Sequence, residues 1–561
     1  MRKPKLILIR SDISHHSLML QNFVFLNKEK ALSLFFDVEI ITEDIKYEDL
    51  IAKHEPQIIA YFYNPRLTKM VHVFNIERYS DIPKIGILGV DEISPDRFCV
   101  IDYYEKLGME AYFTTGSSYT HYCPAFAHKI FYWPWFILED ETHDFKLKKE
   151  YDFFLSSHIF QTYPWRQSIF PLLKENFTYN AVHTGADPVS GKTFYKLINK
   201  GYFAATCGGF CDALVMKHFE IPGSASCLIT EDTEIARQAG FIDMVNCVFV
   251  NEKNAVEKIS YLKHNPTILQ DITMQGYNLV HQNHTVKNRT EVIDWYNLNK
   301  SKKNNEKIVQ PQPFKPLMLV NEKSAVVNYT VTNTKDSLIL EEADKFLFNR
   351  DYDKALKEYI YLNDNFLNYS PDFKIRLSLA YCGKGDQTNA LNSIYYLINY
   401  ELNENEYYNP EPIEWCVLLF ILLTSGEKKI FCELFKLYNY QEYAFWNLLK
   451  DAYSQINKVI IKNTDTFQKI EFNSSHTFLK LPEKELRKIL LDMDFNKTKL
   501  IKNMCDETYE NKSPSEITLK NLISNMPFLA KSAVVKNKIE SILYRISKYQ
   551  ILKARIINFS K

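Results

Sequence analysis

The sequence predicts two α/β units, each built on a parallel sheet, followed by an all-α region. Two observations support this prediction. Residues 1–300 alternate short apolar runs with helix-length amphipathic segments, a pattern typical of parallel strands between helices. From about residue 338 the strand pattern stops and helical periodicity replaces it. The chain has 561 residues, too many for one core, and its 46% hydrophobic and 24% charged residues are typical of a folded soluble protein.

The first α/β unit, residues 1–145, is predicted from six apolar runs. They are Lys5–Ile9, Asp37–Ile41, Gln57–Phe62, Lys84–Leu88, Ala111–Thr114 and Lys129–Trp133. The second unit, residues 146–300, is predicted from five more, which are Tyr151–Leu155, Tyr179–Val182, Tyr202–Ala205, Ser226–Ile229 and Cys247–Val250. The charged stretch Glu139–Glu150 is expected to link the units. Because parallel sheets bind ligands at the carboxyl ends of their strands, the paired units should face a cleft.

Beyond residue 300 the composition changes. Residues 301–336 include a segment with three prolines, Gln310–Pro316, and are expected to form a linker or an extended strap. In residues 337–440, Ala355 and Ala390 lie 35 positions apart, each after a turn. This spacing resembles tetratricopeptide repeats, which bind proteins; an ordinary helical bundle is the alternative. Residues 441–561 are expected to form a helical domain without a recognisable motif.

Composition excludes several classes of function. Lys+Arg is 68 and Asp+Glu is 68, so no overall charge favours nucleic acid as a partner. The ten cysteines are scattered, and Cys207 and Cys211 lack a second pair at zinc-ligand spacing, so buried free thiols are expected. The first apolar run is broken at Arg10 and Asp12, too early for a signal peptide or a membrane span. We therefore expect a cytoplasmic protein with no transmembrane segment.

The C-terminal segment Lys531–Lys561 is basic, with Glu540 as its single acidic residue. Its apolar residues recur at helical spacing, which predicts an amphipathic helix. Such a helix could dock on the preceding helical domain or lie on an anionic membrane. Docking is the favoured interpretation because the apolar stripe lacks Trp and is interrupted by polar residues.

A loose phosphate-loop pattern spans Ala186–Thr193 and includes Gly191 and Lys192. Such loops cradle phosphates with backbone amides, but here Asp187 would repel phosphate and Pro188 removes an amide donor. An ordinary helix start is therefore the favoured interpretation. A nucleotide triphosphatase is kept as the less favoured alternative.

A second group of residues has the charges expected of a nucleotide-binding site. Asp212 and Glu220 are eight positions apart, so both are predicted on one side of a helix, with Lys217 within one turn of Glu220. A carboxylate suits ribose hydroxyls and a cation suits a diphosphate. The small residues Gly223–Ser226 would let backbone amides approach phosphate oxygens. The alternative is an exposed helix with an ordinary ion pair.

Several segments in order are familiar. They are Tyr151–Phe154, Tyr163–Arg166, Gly191–Asn199, Lys217–Pro222, Cys227–Thr230, Ala239–Ile242, Val245–Val250 and His284–Arg289. Together they resemble CgeB-type (spore-maturation-like) glycosyltransferases with the GT-B fold, over residues 1–300 and most clearly from residue 150. The resemblance implies two Rossmann-like domains. The second would bind a nucleoside-diphosphate sugar as donor substrate, with no separate cofactor, and the first would bind a glycan, protein or lipid-linked acceptor.

The resemblance also assigns roles by position. Glu220 matches the second acid of the family's E-x7-E motif, expected at the donor ribose, and Asp212 replaces the first Glu, which shortens its reach toward the sugar. Gly223 opens the small turn, in which Ala225 stands where relatives usually have Gly. The resemblance offers Arg166 and Lys217 as the cations that neutralise the diphosphate leaving group. The departures at Asp212 and Ala225 leave an inactive protein possible.

The first unit offers candidates for catalysis. Asp12 and His15, with His16 beside it, follow the first predicted strand, and Asp91 follows the fourth. An inverting transferase would need one such group as a general base, whereas a retaining one would not. Because the α/β half has no Asp-x-Asp motif, transfer is expected to need no metal. The alternatives to a transferase are a non-catalytic scaffold, whose helical repeats bind a protein, and the triphosphatase.

Overall fold

The structure of the chain is a computed structural model. It describes residues 2–14, 25–65, 67–76, 81–156, 163–182, 189, 191–209, 211–331, 333–365, 370–404, 410–436, 439–440, 444–457, 469–470, 474 and 476–477. The predictions for His15, His16, the loop residues Ala186–Pro188 and the segment Lys531–Lys561 lie outside these residues.

The first α/β unit is built on a six-stranded parallel sheet in the order β2-β1-β4-β6-β7-β8. Its elements are β1 (Lys5–Ile9), α1 (Asn27–Phe35), β2 (Asp37–Ile41), β3 (Ile45–Lys46), α2 (Tyr47–His54), β4 (Ile58–Tyr63), β5 (Val73–Phe74), β6 (Lys84–Leu88), α3 (Asp96–Lys106), β7 (Ala111–Thr114), α4 (Tyr119–Tyr122) and β8 (Ile130–Tyr132). Strands β4, β6 and β7 are buried at every residue, which explains their continuous apolar character. All six predicted strands are present.

The second unit is built on a five-stranded parallel sheet in the order β10-β9-β11-β12-β13. Its elements are β9 (Tyr151–Ser156), α5 (Pro164–Asn176), β10 (Tyr179–Val182), α6 (Gly191–Lys200), β11 (Gly201–Ala205), α7 (Lys217–Gly223), β12 (Cys227–Thr230), α8 (Glu234–Gln238), β13 (Val248–Phe249), α9 (Ala255–His264) and α10 (Pro266–Asn283). The strand order reverses beside the first strand of each sheet, between β1 and β4 and between β9 and β11. Crevices at such reversals are where open α/β sheets bind ligands.

After α10 the chain returns to the first unit. The apolar residues Val292, Trp295 and Tyr296 of α11 (Glu291–Ser301) are buried in the core beneath the first sheet, where the Trp295 ring meets Phe113 edge-on. The predicted boundary at residue 300 is therefore wrong for this helix. Sequence periodicity could not place it, because an apolar helix face does not specify which sheet covers it.

The predicted linker of residues 301–336 is an ordered strap. It contains an antiparallel pair, β14 (Glu306–Val309) and β15 (Met318–Asn321). The Gln310 side chain accepts from the Tyr132 amide at 2.7 Å and donates to the Tyr132 carbonyl at 2.9 Å. Asn328 donates to the Ile130 carbonyl at 2.9 Å. These hydrogen bonds pair some of the backbone amide and carbonyl groups on the open edge of β8. The strap therefore completes the first sheet rather than separating domains.

The described residues after the strap are mainly helical, as predicted, whereas most of the predicted helical domain 441–561 lies outside the described residues. Its helices are α12 (Lys335–Phe348), α13 (Tyr352–Asn365), α14 (Pro371–Lys384), α15 (Gln387–Glu404), α16 (Pro412–Thr424), α17 (Lys428–Phe435) and α18 (Ala444–Asn457), with a short parallel pair, β16 (Asn439–Tyr440) and β17 (Lys469–Ile470). Ala355 and Ala390 are fully buried where α13 and α15 pack closely on neighbouring helices. Their tetratricopeptide-like character stays a prediction.

Two further sequence expectations concern cysteines and membranes. The cysteines that the structure describes are buried free thiols, as predicted. Among the described residues, no helix is both long enough and apolar enough to cross a membrane.

Candidate functional site

Two cations, the buried Arg166 and the partly buried Lys217, converge on the crevice where the second sheet reverses its strand order. Lys217, the first residue of α7, donates through Nζ to the Ser156 carbonyl at the end of β9, at 2.5 Å. Arg166 of α5 donates through Nη2 to the Cys207 carbonyl just beyond β11, at 3.1 Å. The carboxyl ends of β9 and β11 are adjacent in the sheet. The structure thus brings together two of the predicted site residues at the edge where ligands are expected.

Arg166 is held by an aromatic ring rather than by an acid. Its guanidinium carbon lies 3.9 Å from the centre of the Tyr163 ring, a cation–π contact. The side chain is buried, and its Nε has no hydrogen-bond partner within the part of the chain that the structure describes. In the same part of the chain no carboxylate forms an ion pair with Arg166. Its positive charge is therefore available to an anion in the crevice.

Lys217 and Glu220 stand one turn apart at the start of α7. Glu220 is buried and Lys217 is partly buried. Desolvation lowers the pKa of Lys217 and raises the pKa of Glu220, while their mutual attraction opposes both shifts. The Tyr195 hydroxyl of α6 donates to Glu220 Oε1 at 3.3 Å. The nearby Arg166 charge lowers the pKa of Lys217 further, so the two cations repel each other until an anion binds.

Asp212 is not on the helix with Glu220, so that prediction is wrong. Helix α7 begins only at Lys217, and Asp212 lies in the preceding turn with φ 51°. Its carboxylate faces Lys335 of α12, Oδ1 lying 3.4 Å from Nζ. Burial raises the pKa of Asp212 to about 7, although Lys335 opposes the shift. Periodicity failed here because the described residues 206–209 and 211–216 form a loop after a strand rather than a helix.

The prediction that the amides of the small turn Gly223–Ser226 approach a phosphate is also wrong. The amides of Ser224, Ala225 and Ser226 bond back to carbonyls of α7, which leaves none for a phosphate. The turn leads into the amino end of β12, opposite the crevice edge. A side chain at Gly223 would press on Ile137 at 3.0 Å and Thr142 at 3.1 Å. Gly223 therefore permits close packing of α7 on the segment between the two units.

The first unit contributes Asp91, which follows β6 and is exposed. Its charge opposes the lowering of the Lys28 pKa and helps to raise the pKa of Tyr163, so Asp91 acts electrostatically on one residue of each unit. Asp12 is exposed at the end of β1, and its carboxylate accepts bonds from the amide and hydroxyl of Ser14. These contacts give Asp12 a local role in its turn.

Sequence reasoning missed Lys28. Its ammonium lies over the rings of Phe62 and Trp135, at 4.7 Å and 5.6 Å from their centres. Burial lowers the pKa of Lys28 to about 8. A lysine on an amphipathic helix carries no sequence signal for burial, since most such residues are solvated.

Sequence reasoning also missed the part played by the helical region. A cavity of about 770 Å³ opens beside the crevice, between the carboxyl ends of β12 and β13 and the start of α12. Lys335 forms one wall and pairs with Glu231 as well as with Asp212. The helical region thus completes the edge of the second unit.

A comparison with family models identifies the class of this unit. Residues 178–294 match the model described as glycosyl transferase-like. The match includes Lys217 and Glu220, and it covers most of the second α/β unit. The chain therefore contains a glycosyl transferase-like domain, as the sequence resemblance predicted at this coarser level.

Comparison with solved structures gives weak similarity over about half of the chain. A glycosyltransferase from Rickettsia africae is 10% identical, with a TM-score of 0.34, over 51% of this chain and 96% of that chain. HepE from Anabaena, solved with UDP and glucose, is 10% identical, with a TM-score of 0.34, over 53% of this chain and 100% of that chain. Sucrose-phosphate synthase from Thermosynechococcus elongatus is 10% identical, with a TM-score of 0.35, over 53% of this chain and 99% of that chain. No curated protein matches the chain in sequence.

Proposed function

We propose that this protein transfers a sugar from a nucleoside-diphosphate sugar to an acceptor, in the cleft between its two α/β units. The convergence of Arg166 and Lys217 on the carboxyl ends of β9 and β11 is the observation that carries the proposal. The glycosyl transferase-like match over residues 178–294 supports it independently. The resemblance of segments from Tyr151 to Arg289 supports a CgeB-type member with two domains in the GT-B arrangement.

The departing diphosphate is the group that the site must stabilise. When the bond between the sugar and the diphosphate breaks, negative charge develops on the leaving phosphate oxygen, and fixed cations in a buried crevice stabilise it strongly. Arg166 and Lys217 are held in place by carbonyl groups and a ring, so little reorganisation is needed on binding. Because two cations would contact the diphosphate and balance its charge, we propose that transfer needs no metal ion.

Glu220 is proposed to hold the donor ribose. Its carboxylate lies one turn below Lys217, and an ionised carboxylate accepts hydrogen bonds from both hydroxyls of a ribose. Asp212 is paired with Lys335, so we do not place it at the sugar. Asp91 is the proposed general base if the reaction inverts the sugar configuration, because its charge acts on Tyr163, whose ring contacts Arg166.

The acceptor is proposed to enter from the side of the first unit, near Lys28 and Asp91. A glycan, a protein or a lipid-linked acceptor fits this proposal. The helical region, if its repeats are of the tetratricopeptide kind, would offer a surface for a protein partner or a protein acceptor.

A panel of nucleotide sugars tests the proposal directly. Purified chain is incubated with UDP-, GDP- and CMP-linked sugars and with ATP, and products are identified by mass spectrometry. We expect release of the free nucleoside diphosphate from one sugar nucleotide, and thermal stabilisation by that diphosphate but not by ATP. Stabilisation by ATP alone, with phosphate release, would instead support a triphosphatase. Absence of binding to every nucleotide would support the scaffold.

A further inference from the structure

A cluster of buried carboxylates surrounds one histidine, away from the transfer cleft. Glu411 caps the start of helix α16, where its Oε2 accepts from the amides of Ile413 and Glu414. Glu414 lies in the first turn, and His476 approaches both glutamates from a distant part of the chain. One ligand atom from each of the three lies within 4.8 Å of the others. All three side chains are at most 2% exposed. Sequence spacing could not reveal the cluster, because 62 positions separate Glu414 from His476.

The distances within the cluster match the edges of a small coordination sphere. His476 Nε2 lies 3.2 Å from Glu411 Oε2 and 3.0 Å from Glu414 Oε1. Ligands about 2.0–2.1 Å from a tetrahedral zinc ion stand roughly 3.3 Å apart. A protonated imidazole would give similar distances, so the distances alone do not identify what neutralises the acids.

The other atoms of the cluster favour a metal ion. Glu414 Oε2 is fully buried and has no hydrogen-bond partner within the described residues, which leaves it free for a second contact with a cation. On the opposite side of the ring, His476 Nδ1 lies 3.7 Å from Asp372 Oδ1, too far for a hydrogen bond, so Asp372 acts on the ring by charge alone.

The charges point the same way. Three buried carboxylates, those of Asp372, Glu411 and Glu414, face this one imidazole. Arg97 forms its ion pair with Asp372. A protonated His476 would supply one positive charge for the two glutamates, whereas a divalent cation supplies two.

We propose that Glu411, Glu414 and His476 bind one zinc ion, which fastens the helical region to the first α/β unit. Nitrogen and oxygen ligands with one imidazole suit zinc better than magnesium or calcium, which prefer oxygen ligands alone. Water would take the remaining position. The attachment follows from Asp372, which links His476 of the cluster to Arg97 of the first unit. The site is structural and is independent of sugar transfer.

The test uses the full chain, freed of any purification tag and purified without chelator. Zinc is measured by mass spectrometry, and the melting temperature is measured before and after dialysis against EDTA. We expect about one zinc per chain, a melting temperature lowered by dialysis, and recovery with zinc sulfate but not with magnesium chloride. The proposal would be overturned if the purified chain held no metal and its melting temperature did not change on addition of zinc. That result would indicate that a protonated His476 neutralises the glutamates.

Substitutions locate the ion. His476→Gln and Glu414→Gln should each reduce bound zinc below a tenth of an equivalent. The matched control is His54→Gln, since His54 is also buried and pairs with a single carboxylate, Glu39. Full zinc content in His476→Gln would overturn the assignment. Should both cluster variants fail to fold, the zinc content and zinc response of the unaltered chain still decide the question.

Discussion

Arg97 of the first α/β unit donates to Asp372 of the helical region at 2.6 Å, and neither side chain is exposed to solvent. The ion pair joins residues 275 positions apart in sequence. Arg97 also donates to the Glu92 carbonyl, and Asp372 accepts from the amide and hydroxyl of Thr477. These bonds help to make a buried charge pair tolerable, although Arg97 Nε has no hydrogen-bond partner among the described residues. The helical region is thus fixed to the first unit by charge as well as by apolar packing.

Removing one partner of this pair should lower the stability of the folded chain. Arg97→Met or Asp372→Asn is expected to cost about 3–5 kcal/mol in the free energy of unfolding, because each leaves an uncompensated buried group. Chemical denaturation measures the loss. Lys384→Met, which breaks the exposed pair with Asp353, is the control and should leave the melting temperature unchanged. Equal losses in the Arg97 and Lys384 variants would contradict this account.

The same pair should make stability depend on acid. Burial by itself would raise the pKa of Asp372, but Arg97 and His476 hold it well below its usual range. A carboxyl with a lowered pKa stabilises the folded state above the pKa of the unfolded chain and loses that contribution as the pH falls. We therefore expect the unaltered chain to lose stability below about pH 4 more steeply than Asp372→Asn. Parallel profiles in a pH series of melting temperatures would contradict the assignment.

Glu220→Gln should weaken binding of the donor nucleotide. The neutral amide keeps the size of the side chain but offers one acceptor instead of two, so we expect roughly a tenfold to hundredfold loss in affinity. Isothermal titration with the nucleoside diphosphate measures it. Glu291→Gln is the matched control, since Glu291 is a buried carboxyl outside the crevice. Asp212→Asn should also bind the nucleoside diphosphate normally, because the partner of Asp212 is Lys335. If Glu220→Gln bound the nucleoside diphosphate as tightly as the unaltered chain, the ribose role of Glu220 would be refuted.

Lys217→Met and Arg166→Met should distinguish the diphosphate from the nucleoside. Each removes a positive charge at the crevice, so affinity for the nucleoside diphosphate is expected to fall at least about tenfold. Affinity for the bare nucleoside should change little. Lys192→Met is the control, because Lys192 is exposed on α6. If only the Lys192 variant lost binding of the nucleoside diphosphate, the result would support a phosphate loop instead.

Lys28→Met should stabilise the protein. Burial lowers the pKa of Lys28 from 10.5 to about 8, so at pH 7 the folded state carries a poorly solvated charge. Removing it is expected to raise stability by up to about 3 kcal/mol at pH 7. Because the unfolded chain binds the extra proton between pH 8 and pH 10.5, the advantage should shrink as the pH rises through that window. A pH-independent difference in melting temperature would contradict the shifted pKa.

The sequence by itself determined most of the α/β fold. The eleven predicted strands are present, because a strand buried on both faces has to be apolar at nearly every position. The sequence also indicated Lys217, Glu220 and Arg166 as site residues, since their segments resemble those of a known family. The match over residues 178–294 agrees with that resemblance. Each of these inferences rests on a local pattern.

Only the tertiary structure decided which distant groups meet. Asp212 belongs with Lys335 rather than with Glu220, and the turn after Gly223 uses its amides within α7. The burial of Lys28, the Arg97–Asp372 pair and the approach of His476 to Glu414 depend on packing between elements far apart in the chain. Hydrophobic periodicity says which face of an element is buried. It does not say which surface covers that face, and the partners of buried charges are set by that choice.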